Sequence, residues 1–131
     1  MFLDTSGLMC LLDLRDHRHP IAVSSYRNAR QRITSSYVLA EFVALAEARG
    51  TPRTRTLAFV ADIQDSAEIE TIWVDEQLHR QAFALLQGRV DKTYSLCDAV
   101  SFVLMRGMNV AEALTTDRHF EQEGFVRLLP S

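Results

Sequence analysis

Apolar and polar positions alternate along the chain in short blocks whose period keeps changing. Residues 1–4 read as a strand, and residues 5–13 as a helix with Leu8, Leu11 and Leu12 on one side. "DLRDHRHP" is a polar loop, and 21–32 suit a helix. "RITSSY" is a short strand running into a helix start capped by Ser35 or Ser36. Residues 37–49 form a strong helix closed by Gly50, and Pro52 opens another over 53–66. "IETIWV" reads as a strand, followed by a helix at 75–89 and one from the Ser95 cap to Arg106, ended by Gly107. "EALTT" is a strand, "DRHFEQE" a short helix and "FVRLL" the last strand. Strands alternating with helices predict an α/β fold, a single domain over 1–131 with a central parallel sheet covered by helices on both faces. In such sheets ligand sites lie beyond the carboxyl ends of the strands.

Length and composition add a few bounds. A chain of 131 residues that is 47% hydrophobic can bury a core without cross-links. Cys10 and Cys97 lie in apolar helical patterns and read as core thiols of a reducing cytoplasm. The amino terminus lacks a basic leader region, and no apolar stretch is long enough for a membrane span. Net charge is −3 but uneven: residues 1–57 hold eight arginines against five acids, and 58–131 hold six basic residues against twelve acids. Arginine suits phosphate recognition, which makes Arg15, Arg18, Arg30 and Arg32 candidates for contact with a nucleic acid.

Four acids recur in comparable places. Asp4 and Asp117 fall at the carboxyl ends of predicted strands. Each is also a possible cap for the helix that follows. Glu41 has Tyr37, Val38, Ala44 and Leu45 three and four residues away, so its helix points a carboxylate along an apolar face or at the edge of one. Ser95-x-x-Asp98 matches a capping box, and the helix around Asp98 is apolar on most sides. Four carboxylates converging at one sheet edge repel unless a cation lies between them. Hard divalent ions such as magnesium and manganese take oxygen ligands, and they activate water and stabilise charge on phosphoryl groups. Thr5, Ser6, Thr115 and Thr116 flank the acids as hydrogen-bonding partners.

Other constellations are weaker. Asp13, Asp16, His17 and His19 are irregularly spaced in a loop expected to be solvated, and His79 and His119 fall on polar helix faces expected to be exposed. No glycine pattern forms a phosphate-binding loop. A receiver domain would need a lysine after its last strands, but the only lysine is Lys92.

"MFLDTSGL", "ITSSYVLAEFVAL", "YSLCDAVSFVLM" and "ALTTDRHFEQEGF", in that order, resemble the PIN-domain nucleases, and among them the small VapC-type toxins of toxin–antitoxin pairs. The resemblance covers essentially the whole chain. It implies catalytic acids at Asp4, Glu41, Asp98 and Asp117, with Asp4, Asp98 and Asp117 as metal ligands. It implies supporting hydroxyls at Thr115 and at Thr5 or Ser6. It further implies a magnesium- or manganese-dependent endoribonuclease of the cytoplasm, a homodimer, an RNA substrate and a cognate antitoxin. The alternatives are a catalytically inactive RNA- or protein-binding module of the same fold, or an RNA-processing nuclease outside toxin–antitoxin systems.

Overall fold

The computed structural model describes all 131 residues. The strands are β1 (Phe2–Leu3), β2 (Ile33–Ser35), β3 (Glu70–Ile72), β4 (Glu112–Leu114) and β5 (Val126–Arg127). The helices are α1 (Thr5–Leu12), α2 (His19–Asn28), α3 (Ser36–Ala48), α4 (Arg53–Asp65), α5 (Glu76–Gln87), α6 (Leu96–Gly107) and α7 (His119–Gln122). The five strands form one sheet in the order β3-β2-β1-β4-β5, and every pairing is parallel. Each predicted element is present. The main shift is α2, which starts at His19 and absorbs the end of the expected polar loop, with Pro20 in its first turn, where a missing N–H costs nothing.

The chain steps outward from β1 through β2 to β3, then returns to lay β4 and β5 on the other side of β1. Right-handed crossovers therefore place α1–α4 on one face of the sheet and α5–α7 on the other. Within the layers α1 packs on α2 and α3, α3 on α4, α5 on α6, and α6 on α7, and α3 also touches α6. Phe2, Leu3, Ile33, Ala113 and Leu114 form the buried centre between the layers, with Phe42, Phe102 and Phe120 filling from the helices. Both cysteines are buried and free.

Two local devices set the edge that matters. Ser35 closes the start of α3 by accepting the Val38 N–H at 3.2 Å, as its sequence position predicts. Gly7 lies against the end of β4: a Cβ there would stand 2.0 Å from the Leu114 carbonyl oxygen. Only glycine lets the first turn of α1 approach this backbone.

Candidate active site

The order of the sheet reverses between β1 and β4, and their carboxyl ends border the crevice where α/β sheets bind ligands. Leu3 is in register with Leu114, so Asp4 follows one strand where Thr115 follows the other. The Asp4 N–H donates to the Leu114 carbonyl at 3.2 Å.

Asp4 occupies the N-cap position of α1, yet its carboxylate makes no cap hydrogen bond. Its Oδ2 instead accepts the Thr115 hydroxyl at 2.7 Å and faces the Ser6 hydroxyl at 3.4 Å. The two hydroxyls are 3.1 Å apart, and Ser6 Oγ also accepts the Thr116 N–H at 2.9 Å. Ser6 is thus the hydroxyl that serves Asp4. Thr5 is buried with its Oγ1 unpartnered. Burial pushes the Asp4 carboxyl up to about 7. The Thr115 hydroxyl and the Thr5 backbone oppose that rise, and the charges of Asp98 and, to a lesser extent, Glu41 add to it.

Asp98 forms the expected capping box: Ser95 Oγ accepts the Asp98 N–H at 3.0 Å, and Asp98 Oδ2 accepts the Ser95 N–H at 3.1 Å. The side chain is nonetheless buried and faces the crevice chemistry, with His119 Nδ1 at 3.1 Å from Oδ2. Burial raises its carboxyl; the Ser95 backbone and His119 hold it down, and the Asp117 charge raises it further. Asp117 Oδ1 accepts the His119 N–H at 2.9 Å and lies 3.4 Å from His119 Nδ1. Asp98 thus caps α6, while Asp117 makes an Asx turn ahead of α7, whose N-cap position is Arg118.

One oxygen, one nitrogen and one oxygen from Asp98, His119 and Asp117 come within 4.8 Å of one another, the one such group in the molecule. Asp4 stands beside this group, tied to it by Thr115, whose Oγ1 accepts the Asp117 N–H at 3.0 Å. Glu41 lies in the second turn of α3 and is exposed rather than directed into the core. Its charge still bears on Asp4 and on the buried Cys97 thiol, whose pKa is raised by burial first and then by Glu41, Asp4 and Asp98. All four acids therefore share one edge of the sheet.

The expectation for the histidines needs correction. His119 is half-buried inside the acidic group, and His79 is half-buried with its ring hydrogen-bonded to Tyr37. The signal for His119 was its place two residues after Asp117, where a carboxylate and the i+2 amide form an Asx turn. The loop acids serve local pairing: Asp16 holds Arg18 at 2.9 Å, Asp13 accepts the Arg15 N–H at 3.0 Å, and His19 Nδ1 meets the Cys10 carbonyl at 2.8 Å.

The four candidate arginines do not converge on the acids. Arg18 is committed to Asp16. Arg32 lies over the Tyr26 ring and donates to the Tyr26 carbonyl at 2.7 Å. Arg30 and Arg32 precede β2, at the amino edge of the sheet, opposite the acids. Arg15 is exposed beside Asp13.

No arginine or lysine pairs with Asp4, Asp98 or Asp117; the only basic group among them is His119. Hard oxygens, uncompensated negative charge and two carboxyls with raised pKa fit a divalent cation.

Carboxylates at the switch point of a parallel five-stranded α/β sheet are the arrangement of a nuclease site. The chain belongs to the PIN-domain family, whose model matches residues 1–125. It is 30% identical over 131 residues to the 23S rRNA-specific endonuclease VapC20 of Mycobacterium tuberculosis, in both strains CDC 1551 and H37Rv, covering 99% of this chain and 98% of the relative. The solved structure of M. tuberculosis VapC20, described as a sarcin-ricin loop cleaving toxin, superposes with a TM-score of 0.88 at 30% identity over 98% of each chain.

Proposed function

We propose that this protein is a metal-dependent endoribonuclease and the toxin of a toxin–antitoxin pair, with Asp4, Glu41, Asp98 and Asp117 as its catalytic acids. The observation that carries this is the group of Asp98, Asp117 and His119 beside buried Asp4, at the switch point of a PIN fold and without any arginine or lysine to neutralise it. Asp98 and Asp117, with Asp4 next to them, would hold magnesium or manganese. Such an ion lowers the pKa of water and offsets charge on phosphate oxygens.

The residues themselves do the positioning. Thr115 and Ser6 hold Asp4 Oδ2, Ser95 holds Asp98 Oδ2, and the His119 amide holds Asp117 Oδ1. The carboxylates keep fixed directions before substrate arrives, which lowers the reorganisation needed during reaction. Glu41, exposed at the rim, is the acid best placed to take a proton from solvent-side groups.

The substrate we assign is RNA. The likeness to VapC20 makes 23S rRNA the first target to test. For the antitoxin, an apolar groove of about 320 Å³ is lined by Leu8 and Leu11 of α1, Tyr26 of α2, and Phe59 and Ile63 of α4. This groove suits an amphipathic partner segment. A homodimer follows from the family resemblance. No helix is long and apolar enough to cross a membrane; an RNA substrate and an antitoxin partner support a cytoplasmic site of action.

The test is cleavage of 23S rRNA and of unrelated RNA by purified protein with chelator, magnesium or manganese. Asp4→Asn, Asp98→Asn and Asp117→Asn each lose metal-dependent cleavage while remaining folded. Wild-type cleavage by any of them removes that residue from the site. Metal-independent binding of RNA with no cleavage favours the inactive-module reading.

A further inference from the structure

The group that holds the site acids in register has a member outside the acidic set. His119 Nδ1 lies 3.1 Å from Asp98 Oδ2 and 3.4 Å from Asp117 Oδ1. An ionised carboxylate only accepts, so Nδ1 carries the hydrogen toward them whether the ring is neutral or charged. The opposite nitrogen, Nε2, lies 3.1 Å from the Thr93 hydroxyl, which in the neutral ring donates to it and fixes this tautomer.

The ring is also held in place. Tyr94 packs edge-on against it, with centroids 5.1 Å apart and planes at 66°. The Tyr94 hydroxyl donates to Glu123 Oε2 at 2.9 Å, and Glu123, its side chain 5% exposed, is anchored by Arg89 at 3.0 Å and Arg106 at 2.9 Å. One imidazole thus joins the start of α6, which carries Asp98, to the start of α7, which follows Asp117. Its effect on the acids is directional. Asp98 Oδ2 receives both His119 Nδ1 and the Ser95 N–H, while Oδ1 receives no donor. Asp117 Oδ1 receives the His119 amide and faces the same ring, while Oδ2 receives no donor. In each acid one oxygen is anchored through His119 and the other stays free.

We infer that His119 is a positioning residue: it sets the separation and direction of Asp98 and Asp117 so that their free oxygens present a preformed seat for a divalent cation, with Thr93 fixing its tautomer. This rests on the metal-dependent nuclease reading. It differs from a role for His119 as a ligand, which would need the Nδ1 lone pair pointed at the ion. Partners that orient metal-binding carboxylates typically govern affinity by ~10–100-fold.

The experiment is calorimetric titration of the full-length protein with manganese and, separately, magnesium, alongside melting in chelator. Wild type, His119→Ala, His119→Asn, Thr93→Val and Asp98→Asn are compared. In His119→Asn the amide N–H stands where Nδ1–H was. His119→Ala should bind both ions ~10–100-fold more weakly, by the same factor for each. His119→Asn should recover most of that loss, and Thr93→Val should show a smaller loss with an unchanged melting temperature in chelator. Should His119→Ala fail to fold, the Asn and Thr93 variants carry the comparison. Affinity within twofold of wild type in His119→Ala, a His119→Asn that binds no better than His119→Ala, or, should His119→Ala fail to fold, wild-type affinity in Thr93→Val overturns the proposal. So does a loss confined to manganese, which marks the imidazole as a ligand, since nitrogen donors suit that ion better than magnesium. If wild type binds neither ion, or Asp98→Asn binds as wild type does, the metal-site reading itself has failed, and that pattern is separate from a failure at His119 alone.

Discussion

Thr115 donates its hydroxyl hydrogen to Asp4 Oδ2 at 2.7 Å, across 111 residues of chain. The Thr115 Oγ1 in turn accepts the Asp117 N–H at 3.0 Å. One fully buried hydroxyl thereby couples the acid at the end of β1 to the acid after β4. Thr115→Val keeps the shape and removes both functions. It should lower metal-dependent cleavage by ~10–100-fold, the range for lost partners of site carboxylates. Thr115→Ser should restore most of it. Cleavage rates of the two variants decide: equal rates would mean the hydroxyl does not matter.

Gly7 offers a second test, this time of how the fold builds the site. A methyl group there would lie 2.0 Å from the Leu114 carbonyl oxygen, part of the backbone, which has little freedom to move. Gly7→Ala must push the first turn of α1 away from β4. Overpacking of this kind typically costs ~1–3 kcal/mol. Because Ser6 and Asp4 ride on that turn, activity should fall even at temperatures where the variant is fully folded. Denaturant unfolding and cleavage, measured together, check both halves; a variant of wild-type stability would show that α1 has room after all.

Periodicity and caps made most of the elements readable: β1 is apolar and runs straight into Asp4 at the start of α1, and β2 ends on Ser35, which caps α3. Asp4, Asp98 and Asp117 were legible because each stands where a strand ends or a helix begins. What periodicity does not contain is the strand order. The neighbourhood of β1 and β4 brings Ser6 to Thr115, and the helix starts that follow bring Asp98 to His119. His119 was read as exposed because its own short helix is polar, and its burial comes from Tyr94 and Thr93 on another segment. For Glu41 the sequence leaves open whether the carboxylate lies along the apolar helix face or at its edge, and its exposure puts it at the edge. Arginine content pointed to nucleic acid without saying where, and Arg30 and Arg32 lie at the far edge.

Glu41 nonetheless acts on Asp4 through charge. Glu41→Gln removes one negative charge near a buried carboxyl, so the Asp4 pKa should move down from its value of about 7. Since residue 41 is exposed, stability should change by no more than about 0.5 kcal/mol. Carbon-detected NMR titration of the Asp4 carboxyl in the metal-free protein reads this shift. An unmoved Asp4 titration would place Glu41 outside the electrostatic reach of the site.

The raised Asp4 pKa makes the stability of the metal-free protein depend on pH with a definite sign. In the unfolded chain the carboxyl titrates near its ordinary value of 3.8, and in the folded protein near 7. Below the lower value both states are protonated, and the contribution to stability is fully present. Between the two, unfolding releases the proton, so stability falls as pH rises and levels off above about 7. Asp98, also raised by burial, acts in the same direction. Asp4→Asn keeps the Thr115 hydrogen bond to a side-chain oxygen and loses the titration. In chelator the variant should therefore gain on wild type as pH increases from about 4 to about 8, and should be the more stable of the two at the upper end. Millimolar manganese should reverse that order at the high end, because it binds folded wild type and stabilises it by mass action. At about pH 5 the proton competes with the ion, and the reversal should be weaker. Urea unfolding across this range, with chelator and with manganese, measures all three. A wild-type-minus-variant difference that stays constant with pH in chelator would mean that Asp4 ionises normally in the folded protein, and that the acids do not repel one another strongly enough to need a cation.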